Sequence, residues 1–325
     1  MKAAVIKDFN GFEGLSVSDV DPAKKAPDEI SVRVSLAGLN PVDINLMAGK
    51  ILYSIDPIPH IPGVELFGEA EEDGRFIRKG DRVIVFPRMY DGTCHYCVNG
   101  MEEICVNGKL FGVGTNGAYA ENANISEKYL IRVPDEIDDE TAVGLPVGGL
   151  TAMHAISAGR FFPGKNVLVY GASGNTGIFS LILLKALGMH ADAVSRKEWV
   201  TRFGAENVFT ADRVPDNKSY DMVINPLGSF EFSNALSKLR RGGEYVTYGI
   251  MGGSSAYIDL GRLYTNEIRI IGSTGGNRRD MENLIRIMSE SGIKVPVQKK
   301  FSLDEIVEAC RTYSGRETGR YLIKI

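Results

Sequence analysis

Two groups of residues carry atoms able to do chemistry at a fixed place. The first is Asp91, Cys94, Cys97 and Cys105, spaced D-x2-C-x2-C-x7-C. Three thiolates and a carboxylate close a tetrahedral shell around zinc and leave no position open for water or substrate, which marks a structural ion rather than a catalytic one. A Cys-x2-Cys pair alone also suits a redox couple, and bare reduced thiols are the plain alternative. The third cysteine at ordered spacing favours one bound zinc. Asp91 is its weakest donor, an oxygen among sulfurs. The second group is the turn Gly171-Ala172-Ser173-Gly174-Asn175-Thr176-Gly177. Glycines there let backbone approach a pyrophosphate, and a helix that starts there offers unpaired N–H groups and a positive dipole end to the anion. Gly171, Ser173, Gly174, Asn175, Thr176 and Gly177 are therefore expected cofactor contacts; the alternative is a tight strand–helix turn with nothing bound.

The surrounding elements must hold both groups. Asn166 to Tyr170 reads as a strand and about Thr176 to Leu187 as an apolar helix, so the glycine turn has the strand–turn–helix context that makes it informative. About 20 residues further on, an Asp or Glu would bond the ribose 2′-hydroxyl of NAD. The chain there reads Val194-Ser195-Arg196-Lys197. A hydroxyl and two cations suit a 2′-phosphate, so NADP(H) is the expected cofactor, held by Ser195, Arg196 and Lys197. A solvated basic turn is the alternative. Helix-like Thr151 to Ala158 and strands at Ala191 to Val194, Asn207 to Phe209, Met222 to Asn225, Glu244 to Tyr248 and Ile268 to Ile271 alternate as in a doubly wound parallel sheet.

The first 145 residues read instead as short strands and turns, Ile30 to Val34 and Arg82 to Phe86 among them. Beyond Gly275 come an amphipathic helix with Met281, Leu284, Ile285 and Met288 on one stripe, a strand near Val295 and a final strand from Tyr321 to Ile325. A helix starts after Ser302, which has capping-box spacing with Glu305. This tail cannot bury a core of its own and is expected to dock on the first domain. The fold class is α/β, with domains at 1–145, 146–275 and 276–325, the last returning to the first.

A chain of 325 residues has room for about two domains at roughly 150 residues each. Thirty-seven glycines among them exceed the usual ~7%, in keeping with many tight turns and close backbone approaches. Thirty-seven Lys and Arg against 41 Asp and Glu give a net charge of −4, with no run of five like charges, which argues against a nucleic-acid partner. The N-terminus enters strand-like alternation without the apolar region and cleavage site of a signal peptide. No apolar stretch reaches about 18 residues; the nearest, Ile178 to Leu187, is broken by Ser180 and Lys185, so no membrane span is expected. Four cysteines, three of them clustered, make a poor disulfide framework and fit a metal clip in a reducing, cytoplasmic setting.

The ordered motifs Gly38-Leu39-Asn40-Pro41-Val42-Asp43, Pro62-Gly63-Val64-Glu65, Gly80-Asp81-Arg82-Val83, Gly117-Ala118-Tyr119-Ala120-Glu121 and Leu145-Pro146-Val147-Gly148-Gly149-Leu150-Thr151, with the cysteine lobe and glycine turn, resemble the medium-chain dehydrogenase/reductase superfamily. The resemblance implies a GroES-like β domain built from both chain ends, a Rossmann domain between them, and assembly as homodimers or tetramers. By the same resemblance, Thr151, the loop Gly249, Ile250 and Met251, and the loop with Gly275 and Asn277 lie near the nicotinamide. Zinc alcohol dehydrogenases carry catalytic ligands where this chain has Asn40, Val64 and Val147. Valine has no lone pair, so the Lewis-acid route is unsupported, and the pattern is closer to quinone oxidoreductases that lack catalytic zinc but keep the structural lobe. The expected activity is NADPH-dependent hydride delivery to an enone, a quinone or a small enoyl thioester. Asn40, at the lost-ligand position, and Tyr53, in the segment that caps the cleft of similar proteins, are the expected catalytic hydrogen-bond donors, with Arg88 a distant third. Two alternatives are a zinc alcohol dehydrogenase with ligands displaced to His60, Glu65, His154 or Cys310, and a non-catalytic NADPH-binding protein.

Overall fold

A computed structural model of the chain describes residues 1–51, 55, 58–313 and 319–325. Tyr53 lies outside the described residues. The chain divides into two compact units, Met1–Val147 with Met288–Ile325, and Gly148–Ile287. Residues 276–287, which the sequence groups with the tail, fall in the second unit, where Asp280 bonds His154.

The first unit opens with the antiparallel pair β1 (Lys2–Ile6) and β2 (Leu15–Asp19). β3 (Glu29–Leu39) follows, then α1 (Pro41–Met47), β4 (Glu65–Ala70), β5 (Arg82–Val85), the short β6 (Arg88–Met89), α2 (His95–Val98), β7 (Lys109–Leu110), β8 (Asn122–Ser126), β9 (Leu130–Arg132) and α3 (Asp139–Ala142). β3 is the spine. Ile30, Val32 and Val34 are buried while Arg33 and Ser35 point out, giving one packed face; from Leu36 to Leu39 the strand is buried on both faces. Burial of this core, which includes Leu39, Leu46, Leu66, Phe111, Tyr119 and Ile323, fixes the register, since a one-residue slip would turn every apolar side chain outward.

The second unit begins with α4 (Leu150–Ala158) and β10 (Asn166–Tyr170), followed by α5 (Asn175–Ala186), β11 (His190–Val194), β12 (Ala205–Phe209), β13 (Tyr220–Ile224), α6 (Phe232–Ser237), β14 (Leu239–Thr247), α7 (Leu260–Asn266) and β15 (Arg269–Gly272). Its six strands are parallel in the order β12-β11-β10-β13-β14-β15. This is a doubly wound sheet whose strand order reverses between β10 and β13. Ile178 to Leu184 of α5 are buried without interruption, as a helix packed on more than one side requires. At the entry end of the strands, Glu244 is buried between Lys165 (2.8 Å), the Arg160 N–H (2.8 Å) and Arg269 (2.6 Å), a charge satisfied on every side. β15 is an edge strand, and the neighbouring α7 buries none of its side chains; Tyr264 is 77% exposed.

α8 (Arg278–Ser291) carries the chain on to β16 (Val297–Ser302), α9 (Ile306–Thr312) and β17 (Arg320–Lys324). The buried stripe of α8 is Met281, Leu284, Ile287 and Met288; Ile285, expected on it, is only half-buried because its neighbour Ile287 takes the inward position. The strand expected near Val295 starts two residues later, while Val295 itself is buried and donates its N–H to Thr141 Oγ1 at 3.1 Å. The Ser302–Glu305 capping box is formed. β17 pairs with β3, so the tail completes the sheet of the first unit in the order β16-β17-β3-β4-β5-β9, with β8 on β3. No helix among the described residues is long and apolar enough to cross a membrane.

Candidate functional site

The cysteine lobe forms around α2. Cys94 caps the helix and Cys97 lies within it, while Cys105 follows the single turn Glu102–Ile104. Cys94 Sγ lies 3.5 Å from Cys97 Sγ and 3.8 Å from Cys105 Sγ, and one ligand atom from each of Asp91, Cys94, Cys97 and Cys105 falls within 4.8 Å of the others. Tetrahedral zinc with bonds of about 2.3 Å sets its sulfurs about 3.8 Å apart, so spacing and donor types fit a closed shell. Asp91 is held ready: Oδ1 accepts the Thr93 and Cys94 N–H groups at 2.7 and 3.0 Å, and Oδ2 accepts Asn107 at 2.6 Å. These bonds hold its carboxyl well below the usual range. Cys97 behaves oppositely: desolvation and the crowding of like donors push its thiol up to about 12. A divalent cation reverses that preference, because a coordinating thiol is deprotonated outright. Arg88 donates to the Cys105 carbonyl at 3.0 Å, which ties it to this lobe.

A second polar cluster sits at the end of β3, in the core of the first unit. Asn40, 2% exposed, caps α1; Pro41 occupies the first helical position and Asp43 accepts the Asn40 N–H at 2.9 Å. The Asn40 side-chain amide donates to Glu65 Oε2 at 2.8 Å, and the same oxygen accepts Arg320 Nη2. Glu65 and Arg320 are both fully buried. Gly38 has no alternative, since a Cβ there would run into the Glu65 carboxylate. Asp43 Oδ1 also accepts the Val64 N–H at 3.1 Å. Desolvation, partly offset by these N–H groups and reinforced by Glu65, raises the Asp43 carboxyl to about 7. Val64 is fully buried, and neither it nor Val147 offers a donor. Among the residues considered for a displaced metal, His60 Nε2 bonds the Gly112 carbonyl (3.0 Å), Glu65 serves Asn40 and Arg320, His154 bonds Asp280 and Cys310 Sγ lies 3.8 Å from Met47 Sδ. Among the described residues the one group of His, Cys, Asp or Glu gathered for a metal is the cysteine lobe.

In the second unit the glycine turn leaves β10 with Gly171 at φ +61°, and Gly174 N–H closes it on Gly171 O at 2.9 Å. Gly177 passes so near that a Cβ would meet the Gly171 carbonyl and come within 2.7 Å of Ala172 Cα. Gly174 caps α5 without a side-chain hydrogen bond, so the helix begins directly at the turn. Ser173, Asn175 and Thr176 line this turn. Ser195 follows the end of β11, where its Oγ accepts the Lys197 N–H at 3.0 Å; Arg196 is exposed. The carboxylate of β11, Asp192, lies mid-strand and is occupied by Asn207, Lys218 and Tyr220 at 2.7 to 2.8 Å. Gly249, Ile250 and Met251 follow β14, with Ile250 56% and Met251 63% exposed, and Gly275 and Asn277 follow β15. Thr151 lies in the first turn of α4. One pairing escapes sequence reasoning: His154 Nδ1 to Asp280 Oδ2 at 2.6 Å. Burial opposes charge on Asp280, yet bonds from His154 and Ser157 hold its carboxyl below the ordinary value.

Two measurements test this geometry. Protein purified without chelators should contain close to one zinc per chain by elemental analysis, and Cys97→Ser should lower both zinc content and Tm; metal-free wild-type protein would favour bare thiols. For Asp43, a folded pKa of about 7 against roughly 3.9 unfolded means the native state binds more protons between those values. Stability should therefore fall as pH rises from about 4 to about 7 and level off above. Urea midpoints across that range should show a shallower slope for Asp43→Asn; equal slopes would refute the assignment.

Residues 26–135 match the family described as alcohol dehydrogenase GroES-like domain, and residues 176–290 the one described as zinc-binding dehydrogenase. An acryloyl-coenzyme A reductase of Sulfurisphaera tokodaii is 30% identical over 337 residues, covering 100% of both chains. A NAD-dependent alcohol dehydrogenase of Sulfolobus acidocaldarius is 29% identical over 347 residues, with the same coverage. A cobalt- and zinc-bound thermostable alcohol dehydrogenase from Pyrobaculum aerophilum is 33% identical with a TM-score of 0.92, covering 100% of this chain and 99% of its own. The likeness extends through both units, and the chain belongs to the medium-chain dehydrogenase/reductase superfamily of oxidoreductases.

Proposed function

We propose that this protein is an NADP(H)-dependent reductase that delivers hydride to an activated alkene or quinone, such as an enone, a quinone or a small enoyl thioester, with no metal at the reacting carbonyl. One observation carries the reading. At the three positions that resemble the ligand positions of zinc alcohol dehydrogenases stand Val64, Val147 and an Asn40 whose amide nitrogen gives one of its two N–H groups to Glu65. None offers a thiolate, an imidazole or a carboxylate, the donors that hold such a zinc. A saturated aldehyde or ketone gains most from a Lewis acid, whereas a conjugated acceptor is already electrophilic at carbon. The full-length likeness to an acryloyl-coenzyme A reductase supports the same class of acceptor.

The nicotinamide cofactor supplies the hydride. The chain's own contribution is to hold and orient. The glycine turn and the start of α5 cradle the pyrophosphate, and Ser195, Arg196 and Lys197 take the 2′-phosphate, where β11 ends in no carboxylate. In the first unit Asn40 is the proposed donor to the oxygen on which negative charge develops, its orientation fixed by Glu65. Asp91, Cys94, Cys97 and Cys105 would hold a structural zinc that takes no part in the reaction.

Fluorescence titration should show NADPH bound more tightly than NADH, and replacing Arg196 and Lys197 by alanine should weaken NADPH roughly tenfold or more while sparing NADH, since each charge-assisted phosphate bond contributes about 1.5–3 kcal/mol. A preference for NADH would remove the 2′-phosphate role. In an assay of NADPH oxidation over quinones, enones, aldehydes and enoyl thioesters, Asn40→Ala should lower turnover on the order of a hundredfold with little change in NADPH affinity. Unchanged turnover would take Asn40 out of the mechanism; binding of NADPH without oxidation in any well would favour a binding protein, and zinc near two per chain with activity on alcohols would favour a displaced catalytic ion.

A further inference from the structure

The parallel sheet of the second unit sorts its loops into two halves. All six strands end at one edge, and a dinucleotide crosses such an edge at the point where strand order reverses, one mononucleotide to each side. Here the reversal lies between β10 and β13. Ser195, Arg196 and Lys197 leave β11 on one side; the segments after β14 and β15 leave on the other. A 2′-phosphate on the first side assigns the second to the nicotinamide.

The segment after β15 is tied by hydrogen bonds at its two ends. Ser273 N–H ties its start to Thr247 O at 2.9 Å, and Asn277 and Asp280 cap each other at the start of α8, through Asp280 N–H to Asn277 Oδ1 at 2.9 Å and Asn277 N–H to Asp280 Oδ2 at 3.3 Å. Between them lie Gly275, at φ +56°, and Gly276, two residues with the widest backbone freedom. What fixes them is α4. Gly276 lies against it so closely that a Cβ would come within 2.6 Å of Leu150 Cδ1 and 3.1 Å of His154 Cβ. One turn after Thr151 on the same helix, His154 reaches Asp280 at 2.6 Å. A capping carboxylate works well in water. Asp280 is instead 5% exposed, and burying a charge is unfavourable unless a partner offsets it. Capping alone does not explain that placement; fastening the glycine segment to α4 does.

We propose that His154 and Asp280 are positioning residues for the nicotinamide half of the cofactor, their hydrogen bond latching Gly275, Gly276 and Asn277 onto α4. The proposal rests on the dinucleotide reading of the glycine turn. Neither side chain takes part in hydride transfer; the pair holds a glycine segment, otherwise free to sample many conformations, in the one that receives the ring, so the ordering is done before binding.

The test uses two probes that differ only at the latch's end: NADPH, and 2′-phospho-ADP-ribose, which has the adenosine half and pyrophosphate but no nicotinamide. His154→Leu keeps volume and removes the bond. It should weaken NADPH about five- to twentyfold and raise its KM in parallel, while the fragment binds within twofold of wild type. His154→Asn, whose amide nitrogen sits near the place of Nδ1, should recover most of the loss, and Asp280→Asn should reproduce the selective weakening if the leucine variant does not fold. Equal weakening of both probes would reduce the pair to general stability of the unit, and unchanged NADPH affinity would abolish the latch; either overturns the proposal. Wild-type protein that binds neither probe would overturn the dinucleotide reading, and the latch with it.

Discussion

A single buried carboxylate oxygen, Glu65 Oε2, receives both the Arg320 guanidinium and the Asn40 amide, and much of the first unit is arranged to allow it. The three residues come from the ends of β17, β4 and β3, elements far apart in the chain. The ion pair therefore joins the last strand to the body of the sheet as well as ordering a polar site. A buried pair contributes little net stability, because desolvation nearly cancels attraction, but removing one partner strands the other charge and costs about 3–5 kcal/mol. Its function is specification. Small residues surround it: Gly38 makes room for the carboxylate, and Gly144 lies so close that a Cβ would come within 2.9 Å of the Arg320 Cζ. Among the described residues Arg320 Nε and Nη1 have no hydrogen-bond acceptor, while Nη2 is held by Glu65.

In the proposed mechanism that constraint would act on the chemistry through Asn40. An amide that caps α1 with its backbone and meets Glu65 with its side chain can turn only by breaking bonds in a dry environment, where unmade bonds are most costly. Preorganised dipoles of this kind stabilise charge as it develops without reorganising, and that is what a site lacking a metal has to offer. It also limits the reaction. In the proposed mechanism a dipole would pull on the oxygen less strongly than a divalent cation, so the acceptor would have to bring its own electrophilicity. A zinc held in the cysteine lobe by three sulfurs and Asp91 would have no coordination position left for a substrate.

Which parts of this were legible in the sequence follows from how local each signal is. The ligand spacing of the cysteine lobe lies within fifteen residues, and the glycine turn sits between a strand and a helix read from period alone; both emerge as expected in the fold. The second boundary of the nucleotide unit was displaced because α8 is one continuous amphipathic helix, and nothing in its period reveals that Asp280 is committed to His154. Ile285 and Ile287 are equally apolar, and only the partners decide which turns inward. Arg320 was invisible for a stronger reason: an arginine at the start of a terminal strand ordinarily points to water. Its burial depends on Glu65, 255 positions away. Residues whose role is to hold another residue in place have no pattern of their own.

The same distinction separates the two halves of the nucleotide unit. On the β11 side the reading rests on residue types, a hydroxyl and two cations following a strand whose carboxylate, Asp192, is already consumed by Asn207, Lys218 and Tyr220. Charge decides there, and an exposed charge acts with little help from packing. On the β15 side the decisive residues are glycines, which carry no group to recognise anything. Their usefulness depends on being held, and the holding comes from a histidine on α4 and an aspartate on α8, 126 positions apart. In the proposed reading cofactor choice would rest on Ser195, Arg196 and Lys197, and alignment of the reacting ring on packed helices.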